Sequence, residues 1–118
     1  PDGDAMALSF IEGAITMATV MSISAAPNLR FSPGATVMTV GVANLVEQGR
    51  LNPSPYLRRH LSGDWGDLDE DDRRSNDAAL ASGEARLLSS YQVDPDLKLW
   101  IITEWDRSVT TLLLPSEY

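Results

Sequence analysis

The stretch Leu97–Trp105 constrains this chain more than any other. It carries apolar residues on both sides of an extended backbone, Leu97, Leu99 and Ile101 alternating with Trp100 and Ile102. A strand of that kind has to be covered on both faces and flanked by neighbours in a sheet. Turn residues bracket it, Asp94, Pro95 and Asp96 before and Asp106, Arg107 and Ser108 after, and each is a place where the chain reverses. Arg86–Val93, with Leu87, Tyr91 and Val93 on one side, and Val109–Leu114, stopped by Pro115, supply the neighbours. The pattern predicts a three-stranded antiparallel meander over residues 86–93, 98–105 and 109–114.

Helices are predicted upstream of it. Thr39 is placed to cap a helix over 40–48 that presents Val42, Leu45 and Val46 on one face and stops at Gly49, as a left-handed terminal glycine would dictate. Asn52 or Ser54 can cap a second helix over 54–62, with Pro53 or Pro55 suited to its first turn and Tyr56, Leu57, His60 and Leu61 along one side. A third is expected over 68–82. Its pairs Asp69 with Arg73, Glu70 with Arg74, and Arg73 with Asp77 are four apart, the spacing of neighbours on a helix surface. With 118 residues there is room for one core. The reading is a single α+β domain in which helices cover the C-terminal sheet.

The N-terminal stretch is less decisive. Ala5–Ala26 is apolar with Glu12 as its only charge, but Ser9, Thr16, Thr19, Ser22 and Ser24 dilute it. A spanning helix needs ~20 strongly apolar residues, and a secretory signal needs a basic start where this one is acidic. Neither is expected. Ile15, Met17 and Thr19 fit a strand, whereas Phe10, Ala14, Met17, Ala18 and Met21 fit a helical face. The β-branched Ile15, Thr16, Thr19, Val20 and Ile23 favour a strand over the second half. Pro27 and Asn28 break the segment, and Ala35–Met38 reads as a short extended piece. Residues 1–30 are taken as a variable elaboration and 31–118 as the core.

Charge and cysteine content exclude several functions. With no cysteine there are no disulfides, thiolate metal sites or cysteine nucleophiles, and a cytoplasmic location is expected. The net charge of −8 argues against direct nucleic-acid binding, which depends on basic side chains displacing counterions. It suits docking on a basic protein. The charge is concentrated: between His60 and Asp77 seven acids face two arginines, leaving −5 there. In that stretch Gly63 and Gly66 bracket Trp65, and Asp67, Asp69, Glu70, Asp71 and Asp72 follow, where the unpaired N–H groups of a helix start favour negative charge. A large ring in such a loop either plugs the core or anchors a partner. The partner-binding set taken from this stretch is Trp65, Asp67, Asp69, Glu70, Asp71 and Asp72.

His60, the only histidine, lies by its spacing from Tyr56 and Leu57 at the edge of a packing face, which reads as a structural, hydrogen-bonded imidazole; a catalytic alternative takes it as acid or base, with Asp64 to orient it and Arg107 to stabilise an anionic transition state. It would make the chain a small hydrolase or nuclease-type toxin, and it requires the three side chains to converge. Asp67, Asp69 and Asp71 imitate the opening of a calcium loop, but Asp72 stands where the turn glycine belongs and Ala78 where the bidentate glutamate belongs. No metal and no cofactor are expected. Phosphate-loop, dinucleotide, zinc-protease and nucleophile-elbow motifs are absent from the sequence. Trp100 and Trp105 should fall on opposite sides of their strand, so that one is covered by another element or by a second protomer. Assembly through the sheet into a homo-oligomer is a third reading.

The segments RHLSGDWGDLDEDDRRSNDAAL, RLLSSY and LWIITEWDRSVTTLLLPSEY resemble a family of small, uncharacterised plasmid-related proteins of bacterial plasmids, integrative elements and phages. The resemblance covers Phe31–Tyr118 and is most specific over Arg59–Asp77 and Trp100–Tyr118. Where this chain has Trp105 that family carries a small residue. The resemblance implies a mobile-element setting and supplies no activity. The expected function is therefore a non-catalytic, protein-binding accessory or regulatory factor, in its sharpest form an acidic inhibitor of a nucleic-acid-handling defence protein.

Overall fold

A computed structural model describes residues 17–18 and 29–118. In chain order the elements are β1 (Met17–Ala18), β2 (Ala35–Met38), α1 (Val40–Glu47), α2 (Ser54–Leu61), α3 (Glu70–Ser82), β3 (Leu87–Asp94), β4 (Leu97–Thr103), β5 (Val109–Leu113) and a 3₁₀ turn, Pro115–Glu117. They form a small α+β domain. The strands lie in the order β1-β2-β5-β4-β3.

The meander is present, with β4 antiparallel to both neighbours: Ser90 is opposite Trp100, and Ile101 is opposite Leu112. The sheet does not stop at three strands. β2 joins β5 in parallel, Met38 opposite Leu112, and β1 extends it antiparallel with Met17 opposite Met38. Parallel partners have no hairpin to announce them, because the chain must travel out and back between them. Here it runs through all three helices and through β3 and β4. β1 agrees with a strand at Met17–Ala18, and the rest of the expectation for 1–30 lies outside the described residues.

Helix boundaries follow local chemistry. Thr39 Oγ1 accepts from Val42 N at 3.4 Å at the start of α1, and Gly49, with φ 74°, takes up the left-handed position past its end. α2 begins at Ser54 behind Pro53, with no side-chain cap. α3 starts two residues later than expected, because Asp69 steps out of the helix to cap it, Oδ1 accepting from Asp72 N at 2.8 Å. Of the expected four-apart pairs only Arg74 with Glu70 forms an ion pair, at 3.9 Å. Arg73 turns back to donate to the carbonyls of Leu68 and Gly66, and Asp77 is engaged by Trp65.

Met38, Val42, Leu51, Leu57, Leu61, Tyr91, Leu99, Ile101 and Leu112 form the main core between the helices and one sheet face. Leu57 and Leu61 are fully enclosed, each stabilising the fold by about 1.5–3 kcal/mol through apolar burial. β4 ends at Thr103 rather than 105. Glu104 N donates to Val109 O, Arg107 N donates to Glu104 O, and Arg107 adopts a left-handed φ of 60°, so the turn begins at Glu104. Trp105 therefore lies in the turn, 52% exposed, and not on a strand face opposite Trp100.

β3 is an edge strand, and its outward hydrogen-bonding groups at Leu88 and Ser90 are covered. The Asn76 amide bonds both backbone groups of Leu88, Nδ2 donating to the C=O at 2.6 Å and Oδ1 accepting from the N–H at 3.2 Å. Ser90 N donates to Trp65 O and Asp67 N donates to Ser90 O. Over that stretch the edge is closed to pairing with another chain. The close approach is allowed by Gly66: at φ 76°, a Cβ there would lie 2.0 Å from Ser90 O. No helix among the described residues is long and apolar enough to cross a membrane.

Candidate functional site

The loop from Gly63 to Asp69 separates an inward aromatic from an outward acidic face. Arg59 donates to Asp64 at 2.7 Å and lies over the Tyr91 ring at 4.6 Å, while Tyr91 OH donates to Asp64 O at 2.7 Å. The Arg59 hydrogen bond holds the Asp64 carboxyl below the usual carboxylate range. This clasp fixes the loop against β3.

Trp65 points into the protein. It is 4% exposed, stacks on Phe31, meets His60 edge-on at 5.7 Å, and donates its indole N–H to Asp77 Oδ1 at 2.9 Å. The outward anchor expected of Trp65 is corrected: the ring plugs the space between α3 and the sheet, packed with Ala79 and Leu87. A buried indole needs an acceptor for its N–H, and Asp77, itself exposed, provides it.

The other five acids face outward. Asp67, Asp69, Glu70, Asp71 and Asp72 are all exposed, the Glu70 and Asp71 side chains to 83% and 93%. Asp67 lies in the loop and the other four occupy the cap and first turn of α3, where the helix dipole favours negative charge. Among the described residues no group of three or more His, Asp or Glu side chains is arranged to hold a metal ion.

His60, Asp64 and Arg107 do not make a cleft. His60 is 0% exposed, with Nδ1 at Ser89 Oγ and Nε2 2.9 Å from Thr103 Oγ1. Thr103 Oγ1 lies 2.7 Å from Thr110 Oγ1, which donates to Pro33 O at 2.7 Å. That carbonyl can only accept, and it fixes every proton in the chain. Thr110 gives its hydrogen to Pro33, Thr103 gives its own to Thr110, His60 donates from Nε2 to Thr103, and Ser89 donates to Nδ1. Burial, helped by the nearby Arg107 charge, lowers the imidazole pKa to about 3. A Ser–His pair of this form resembles an activated nucleophile, but both residues are fully enclosed and no substrate reaches them.

Asp64 is held by Arg59, so it does not orient the imidazole. Arg107 donates to four carbonyls, those of Ala79, Ala85, Glu104 and Trp105. Its guanidinium ties the β4–β5 turn to the end of α3 and is not presented to an anion. The residues that sequence reasoning missed are Asn76, Asp77, Ser89, Thr103 and Thr110. A signal existed for the last three, since they are hydroxyls at core-facing positions that alternate with Tyr91, Ile101 and Leu112. Buried hydroxyls on an apolar face imply a polar side chain that needs them.

No family model, no curated protein and no solved structure matches the chain.

Proposed function

We propose that this chain is a non-catalytic protein-binding module, an accessory or regulatory factor of a bacterial mobile element. In this reading it works in the cytoplasm by docking an acidic face on a basic protein partner. The observation that carries it is the clustering of five exposed acids, Asp67 in the loop and Asp69, Glu70, Asp71 and Asp72 in the cap and first turn of α3. Carboxylates held in fixed positions meet a basic surface without the ordering cost of a flexible acidic tail. A partner that normally holds nucleic acid fits this face, because its own site is built to meet closely spaced negative charge.

The test is quantitative affinity capture from cells carrying the chain, comparing the natural protein with a Glu70→Lys, Asp71→Lys variant. Asp69 is left intact because its side chain caps α3. Captured proteins of basic character should fall at least tenfold while circular dichroism stays unchanged. Equal capture by both proteins refutes the reading.

A further inference from the structure

Beside the acidic face the sheet surface away from the main core holds a recess of about 470 Å³. Asp67, Asp69 and Asp72 line it together with Ser90, Lys98 and Trp100. Ser90 and Trp100 are register partners, and Lys98 lies two residues from Trp100 on β4, so the three share one sheet face. The Trp100 ring is half-buried and held edge-on by Tyr118 at 5.6 Å.

Two independent features point to a ligand. The first is charge: three carboxylates face one ammonium, and Lys98 makes no ion pair among the described residues. The second is Ser90. The residue is 5% exposed and lines the recess, and its hydroxyl is not among the sealed, unpaired polar atoms of the described residues, so it is open to accept from an occupant of the recess.

From this arrangement we infer that the recess receives an arginine side chain presented by a basic segment of the protein partner. The inference rests on the docking function proposed above and places its anchor. A guanidinium is planar and weakly hydrated, carries five N–H donors, stacks on an indole and pairs with carboxylates through two parallel bonds. The recess offers the ring, the carboxylates and a hydroxyl that accepts a further N–H. A lysine ammonium would gain less, because it cannot stack and has no planar fork.

The test is an NMR titration of the whole chain with the peptides acetyl-Arg-Arg-Arg-amide and acetyl-Lys-Lys-Lys-amide. The expected result is shifts centred on the Trp100 indole N–H and the Ser90 amide, with the arginine peptide bound about fivefold or more tightly than the lysine peptide. Asp67→Asn and Asp72→Asn should each weaken binding about threefold to tenfold, and Lys98→Glu should strengthen it by a similar factor. Glu84→Gln, an exposed charge change outside the recess, should leave it unchanged. The Asp67 and Asp72 side chains make no hydrogen bond among the described residues, so these variants keep the fold. Shifts spread over Glu70 and Asp71, with Asp71→Asn weakening binding as much as Asp72→Asn, would overturn the recess and leave the acidic-face reading standing. So would the absence of binding by either peptide while capture still depends on Glu70 and Asp71.

Discussion

The buried imidazole of His60 makes stability depend on pH in a way that can be calculated. Its pKa falls from 6.5 to about 3 in the folded protein, chiefly through burial. Above pH 6.5 it is neutral whether the chain is folded or unfolded, so its contribution is complete. Below that the unfolded chain takes up a proton that the folded chain refuses, and stability falls by about 1.4 kcal/mol per pH unit until the folded pKa is reached. At pH 5 the loss is about 2 kcal/mol, and near pH 3 it is on the order of 4–5 kcal/mol, a large part of the 5–15 kcal/mol typical of a domain.

The matching perturbation is His60→Gln, which removes the titrating group. Urea unfolding followed by tryptophan fluorescence at pH 7, 6 and 5 gives both stabilities. At pH 7 the variant should be less stable by about 1–3 kcal/mol, since Ser89 and Thr103 lose their shared partner. By pH 5 that gap should have narrowed by about 2 kcal/mol. Taking the difference isolates His60 from the carboxylates, including Glu104, whose pKa is raised by burial and which acts with the opposite sign. A gap that stays constant from pH 7 to 5, or an imidazole that titrates near pH 6 in the folded protein by NMR, would refute the sealed proton chain.

The covered β3 edge gives two further predictions. Gly66→Ala combines a left-handed backbone with a Cβ set against Ser90 O, so it should destabilise by about 2 kcal/mol or more; a loss under about 0.5 kcal/mol in the same unfolding assay would show that the loop moves away freely. Asn76→Ala removes both bonds to Leu88 and should cost about 1–3 kcal/mol, speed exchange of the Leu88 amide and promote self-association through the exposed edge. Unchanged exchange at Leu88 together with unchanged sedimentation would contradict the role given to Asn76.

How much of this was legible depended on how far apart the interacting residues lie. The meander follows from alternation and from turn residues at Asp94–Asp96 and Asp106–Ser108, because hairpin neighbours interact across a short turn. Gly49 and Gly83 end α1 and α3 at left-handed positions, with φ 74° and 70°, again a local matter. The acidic run at the start of α3 belongs to the same class, since its exposure follows from helix geometry and charge.

What sequence could not decide was which way Trp65 faces and what surrounds His60. A ring between two glycines satisfies the same pattern whether it points out or in, and the choice is made by Phe31, Asp77 and Leu87, which approach only when the chain is folded. His60 is silent as a catalyst because hydroxyls from β3, β4 and β5 meet around it. β2 enters the sheet beside β5 for a similar reason: its four residues find their partner only after three helices and the β3–β4 hairpin have brought the chain back. Periodicity and capping act over a few residues and can be read along the chain. Burial and edge covering are properties of packed surfaces, so they exist only once the tertiary structure does.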